Sequence, residues 1–94
     1  MDEITKTVTG SKGRYALQTA QGEAEMTFSI LSPRTIIVDH TAVPKELEGQ
    51  GLGGRLAENL VADARANGFK IVPLCPFVNA WRRRHPDAAD VFQV

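Results

Sequence analysis

The chain has 94 residues, 43% hydrophobic and 23% charged, and its eleven basic residues balance eleven acidic ones. That length makes a single domain over residues 1–94 the expectation, with about two-thirds of the unfolded surface buried, and the composition excludes a disordered chain. Zero net charge argues against nucleic-acid binding through bulk charge, and the lone cysteine, Cys75, excludes an internal disulfide and a cysteine-rich metal site. No apolar run approaches the roughly 20 residues of a membrane helix, and no signal-peptide core precedes Gly10. One free thiol fits a reducing compartment, so a cytoplasmic protein with no membrane partner and no metal is expected.

In chain order, residues 4–8 alternate weakly and stop at Gly10. Residues 14–18 put Tyr15 and Leu17 on one face, and Thr19, Ala20, Gln21 and Gly22 read as a turn. Residues 23–30 are the clearest strand: Ala24, Met26, Phe28 and Ile30 alternate with Glu23, Glu25, Thr27 and Ser29. The two segments are predicted to pair antiparallel, one face apolar and one wet. Ser32, Pro33 and Arg34 interrupt the pattern. Residues 35–43 then carry Ile36, Ile37 and Val38 in a row, which predicts a central strand covered on both faces and ended by Pro44.

Residues 45–51 read as a loop and residues 52–68 as a helix. Leu56, Ala57, Leu60, Val61 and Ala64 share one helix face, while Arg55, Glu58, Asp63 and Arg65 are expected near water. Asn67 and Gly68 stop the helix, and residues 69–73 form a short strand. Strand, helix, strand in this order implies parallel pairing through a right-handed crossover. Pro76 opens a second helix that carries Phe77, Val78 and Trp81 inward and ends near His85 and Pro86. Residues 87–94 can add one helical turn, docking Val91 and Phe92. The expected class is α+β (α/β): antiparallel N-terminal strands, a strand-helix-strand unit and a C-terminal helix.

The segment richest in chemistry runs from Glu48 to Arg55, with Gly49, Gly51, Gly53 and Gly54 between a buried strand and a helix start. Glycines admit positive φ and let backbone amides approach a ligand at the positive end of the helix. A tight strand-to-helix turn explains one or two glycines; this many suit a pyrophosphate. The Walker A string is absent, and the acid expected about 20 residues after a dinucleotide loop is missing.

The loop instead resembles that of the GNAT superfamily of acyl-CoA-dependent N-acyltransferases, which reads Arg or Gln, two residues, Gly, one residue, then Gly or Ala. Gly51 and Gly53 match, and Glu48 stands where Arg or Gln is usual. More narrowly the chain is similar to the compact YjdJ-like branch. The matching strings are Asp39, His40, Thr41, Ala42 and Val43; then Gly49, Gln50, Gly51, Leu52 and Gly53; then residues 73–78; and finally Arg84, His85, Pro86 and Asp87. The resemblance implies a shortened GNAT-like fold without the helices that shape the acceptor site in larger relatives.

The resemblance also implies that acetyl-CoA enters between the strands over residues 35–43 and 69–73. Backbone groups near Ala42 and Val43 would bond the pantetheine arm, and Gly49, Gln50, Gly51, Leu52, Gly53, Gly54 and Arg55 would hold the pyrophosphate. The tyrosine acid common in such enzymes has no counterpart, since Tyr15 is the only tyrosine. The catalytic candidates are Cys75 and His40. Cys75 can be an acid, a nucleophile, a CoA disulfide partner, or a small packing residue between two prolines. His40 can be a base, or a core imidazole bonded to Asp39 or a carbonyl. His85 reads as a helix-end residue, and Trp81 as a core anchor. Arg82, Arg83 and Arg84 read first as a solvated helix face, then as an adenosine 3′-phosphate contact or a weak RNA surface. The expected function is transfer of acetyl from acetyl-CoA to an amine, on a small molecule or on a protein lysine or N-terminus. The alternative is a CoA-binding module with little or no catalysis.

Overall fold

Alternating apolar residues generate three successive antiparallel strands, β1 (Ile4–Thr9), β2 (Lys12–Thr19) and β3 (Gly22–Ser32), followed by β4 (Thr35–Ala42). The computed structural model describes residues 3–94. Register follows the apolar pattern: Tyr15 faces Met26, Leu17 faces Ala24, and Phe28 faces Val38. All of these side chains therefore project to one side of the sheet. After β4 come helix α1 (Leu52–Asn67), strand β5 (Lys70–Pro73) and helix α2 (Pro76–Arg84). The strands lie in the order β1-β2-β3-β4-β5, with only β4 and β5 parallel. The expected architecture is thus present, and Gly68 caps α1 in the left-handed region at φ 73°.

Both helices pack on the same face of the sheet and share one core. Leu56, Leu60 and Ala64 of α1, Val78 and Trp81 of α2, and the sheet's Tyr15, Met26, Phe28 and Val38 belong to it. The C-terminal residues form a 3₁₀ turn, Pro86–Val91, and Phe92 then bridges to Ile71 at the outer edge of β5. Val91 and Phe92 dock on the core as their apolar character predicts. Among the described residues no helix is long and apolar enough to cross a membrane.

Four expectations are corrected. Strand β4 is covered on one face only: Ile36 and Val38 are buried, while Ile37 is half-buried and Asp39 and His40 are exposed. The reason is that α1 and α2 occupy the same side. His40 is accordingly not a core imidazole. Phe77 is 37% exposed, whereas Val78 and Trp81 point inward as expected. The predicted loop before α1 contains a 3₁₀ turn, Lys45–Leu47, whose Leu47 is fully buried. Burying that side chain contributes about 2 kcal/mol and pins the loop to the core.

The fourth correction concerns Asp63, which is not simply in water. It accepts the Tyr15 hydroxyl at 2.6 Å and Asn67 Nδ2 at 2.6 Å, and pairs with Lys6 Nζ at 2.7 Å. Partial burial pushes this carboxyl up, but the bonds from Lys6, Tyr15 and Asn67 outweigh it and hold it below the usual carboxylate range. Burial, followed by the bond to Asp63, pushes the Tyr15 hydroxyl well above its ordinary value, so it stays a donor. The cluster ties α1 to β1 and β2.

Candidate functional site

Two features of β4 shape the site. The first is a bulge. Thr27 pairs with His40 and Phe28 with Val38, so Asp39 is the extra residue. Asp39 reaches Ser29 Oγ at 3.1 Å on the helix-free face, and His40 shares that face. Thr41 then returns to the helix side, opposite buried Met26. The second feature is divergence from β5. The parallel ladder ends at Val38 and Pro73, with one further bond from Cys75 N to Val38 O at 2.9 Å. Beyond it β4 runs on to Ala42 while the other chain turns into α2.

The gap opens into a cavity of about 520 Å³. Thr41, Ala42 and Val43 form one wall and Phe77 another, and the floor is the loop Leu47, Glu48, Gly49 and Gly51 with the first turn of α1. Gly51 is the N-cap of α1 in the left-handed region, φ 75°, and Gly49 lies at φ 85°. The first helical bond runs from Arg55 N to Gly51 O, so the amides of Leu52, Gly53 and Gly54 precede it and have no intrahelical acceptor. No side chain caps this end and no acidic residue lies in its first turn. Donors without acceptors, the positive end of the helix dipole and glycine walls together fit a pyrophosphate.

The glycines are not equivalent. A Cβ on Gly53 would sit 2.6 Å from Phe77 Cζ, so Gly53 is small to admit the Phe77 ring. Gly54 faces open space, with nothing within 4 Å of its notional Cβ. Packing explains Gly53; no contact in the folded chain requires Gly54 in a helix, where alanine is favoured, and its lack of a side chain leaves the helix start open to a ligand.

The sequence-predicted residues separate into three places. Ala42, Val43, Gly49, Gly51, Leu52, Gly53 and Gly54 line the cavity; Gln50 and Arg55 are exposed beside it. Cys75 caps α2, is 2% exposed, and lies behind the cavity wall with Sγ 3.2 Å from Thr41 Oγ1. His40 is on the opposite face of β4, so the strand separates it from Cys75. Arg82, Arg83 and Arg84 occupy the last turn of α2, remote from its Cys75 end, where they complement the helix dipole. His85 stacks on Trp81 at 3.9 Å between ring centroids, and its Nδ1 lies 2.7 Å from Trp81 O. Sequence reasoning missed Thr41 and Phe77 as site residues. Strict alternation hides the first, because the bulge is not visible in the residue pattern.

Comparison with known proteins agrees with this fold. The family model described as GCN5-related N-acetyl-transferase matches residues 14–91. No curated protein matches the chain. The NMR solution structure of a GCN5-like candidate N-acetyltransferase from Staphylococcus aureus superimposes with a TM-score of 0.72 at 28% identity, covering 99% of this chain and 91% of that one. A family match over most of the chain, on a fold whose parallel strands part beside a glycine-lined helix start, identifies it: the chain belongs to the GCN5-related N-acetyltransferase family.

Proposed function

We propose that the protein is an acetyl-CoA-dependent N-acetyltransferase acting on an amine, of the compact YjdJ-like kind. The observation that carries this reading is the uncapped start of α1, whose amides and glycines open on the gap between β4 and β5. Bound acetyl-CoA supplies a thioester carbonyl for attack by an amine. The amides of Leu52, Gly53 and Gly54 hold the pyrophosphate, with Gly49 and Gly51 keeping side chains out of its way and Gln50 and Arg55 at the rim. Backbone groups of Ala42 and Val43 bond the pantetheine arm and orient the carbonyl.

An alkyl ammonium has a pKa near 10.4 and must lose a proton before it attacks. His40, on the exposed face, takes that proton directly or through water. The neutral nitrogen would then bond to the acetyl carbon and lose its second proton to solvent, while the carbon–sulfur bond breaks and the thiolate leaves with the electron pair. Cys75, linked to the cavity by Thr41, returns a proton to it.

A second reading, a CoA-binding module without turnover, is favoured by one observation. Glu48 is the only titratable residue among those lining the cavity. Calorimetry with CoA and acetyl-CoA, followed by thiol release with a panel of amines, separates the two. Binding with turnover supports the transferase, and binding without turnover selects the module. Absence of CoA binding refutes both.

A further inference from the structure

The helix-free face of the sheet is divided around Asp39 and His40. Toward β1 the outward side chains are polar: Thr7, Lys12, Arg14 and Thr27, together with Gly13 and the Phe28 ring, line a shallow cavity of about 330 Å³ that reaches Asp39. Toward β5 it is aliphatic. Ile37 pairs directly with Val72, both half-buried, and Leu74 follows at the end of β5, 66% exposed. The outward positions of β1 and β2, and those of β3 from Glu23 to Ser29, are Thr, Lys, Arg, Gln, Glu, Ser and Ala. Large aliphatic side chains at the β4/β5 end of this face are thus out of pattern, and the core gains nothing from them there. Ile37 and Val72 share this helix-free face with His40.

We propose that Ile37, Val72 and Leu74 recognise the acceptor, and that the acceptor is a lysine in an extended peptide with a bulky apolar residue nearby. This rests on the N-acetyltransferase reading. Acetyl-CoA would fill the cavity on the helix side of the gap, so the amine arrives across the exposed face, past His40. Asp39 is exposed there and offers a carboxylate to the incoming ammonium. Because Asp39 is bulged, the outward side chains of Ile37 and His40 are only two pleat steps apart, opposite Ser29 and Thr27 of β3, roughly 7 Å that an extended peptide spans in two residues. The apolar residue is therefore placed two positions from the lysine, on the same side of the extended peptide, with the polar half of the face left for residues on the lysine's other side. A small amine would bury little on so open a surface, whereas a peptide covers both halves.

The experiment uses the full chain with saturating acetyl-CoA and synthetic peptides holding one lysine, with leucine or aspartate two positions away on either side. Thiol release is expected to favour leucine on one side by about tenfold or more in kcat/KM. Leu74→Ser and Ile37→Thr should each reduce that ratio toward one, while CoA affinity, measured by calorimetry, stays as in the parent. Fluorescence anisotropy of labelled peptides on the CoA-loaded protein gives a readout independent of turnover. Tighter binding of the leucine peptide without any transfer would sustain the surface and defeat the transferase reading. Transfer with equal rates for both peptides, or small polyamines outrunning every peptide, would overturn the proposal and leave the transferase reading intact. Equal affinities, or no peptide binding, would overturn the proposal whichever way transfer falls.

Discussion

Thr41 Oγ1 and Cys75 Sγ lie 3.2 Å apart, joining the end of β4 to the N-cap of α2 across the gap that the parallel strands leave. One partner lines the cavity and the other is buried behind it. If protons reach the leaving thiolate along this contact, the hydroxyl matters as well as the thiol. Thr41→Val keeps the branched shape, so the expected stability loss is about 1 kcal/mol and the expected fall in kcat tenfold or more. Cys75→Ser should keep more activity than Cys75→Ala, because it retains a donor. Thiol-release kinetics and thermal melts check both; equal kcat in all three variants would remove Cys75 from the chemistry.

Gly54→Ala should move stability and affinity in opposite directions. Its Cβ meets nothing in the folded chain, so the helix gains about 0.5–1 kcal/mol from the better helix former. The same methyl would stand where a phosphate approaches, and CoA should bind at least about tenfold more weakly. Gly51→Val, at φ 75°, should lose both: about 1–2 kcal/mol of stability and on the order of 2 kcal/mol or more of CoA binding. Denaturation and calorimetry on the two proteins give the four signs.

Glu48 sets a carboxylate in the lining of the cavity proposed to take the phosphates. At about 6 Å and an effective dielectric near 20, one unit of repulsion is roughly 2–3 kcal/mol before screening. Exposure reduces this to about 1 kcal/mol or less. Glu48→Arg is therefore expected to tighten CoA binding about three- to tenfold at low salt, with the gain shrinking as ionic strength rises. Weaker binding in the arginine protein would mean that the carboxylate organises the loop by accepting its amides.

The Asp63 cluster predicts a pH dependence. Its carboxyl is held below the ordinary range in the fold, so its stabilisation is complete above the unfolded pKa, about 3.9, and is lost as pH falls through the native value. Stability should drop below about pH 4, and Asp63→Asn should flatten that part of the profile. Tyr15→Phe should cost about 1–2 kcal/mol, and Asp63→Ala about 1–3 kcal/mol because it strands the buried Tyr15 hydroxyl. The Lys6 side chain is 39% exposed, so Lys6→Met should cost less than about 1 kcal/mol. Chemical denaturation from acid to neutral pH measures each.

The amino-acid sequence alone determined the features encoded over short distances. Alternation from Ala24 to Ile30 produces β3, the Leu56 to Ala64 stripe produces the buried face of α1, and Gly68 and Pro76 mark helix ends through their own backbone preferences. The glycine loop was legible for the same reason, since its φ values depend on residues within the loop. Which faces are covered was not legible. Ile37 and Val38 look alike in the chain, and only the packing of both helices on one side buries Val38 and leaves Ile37 half-open. Asp63 looked solvated until β1 and β2 brought Lys6 and Tyr15 to it. The bulge at Asp39 decided most for the site. One added residue sends His40 to the open face and Thr41 to Cys75, because side-chain direction in a strand has a period of two and any insertion inverts everything beyond it.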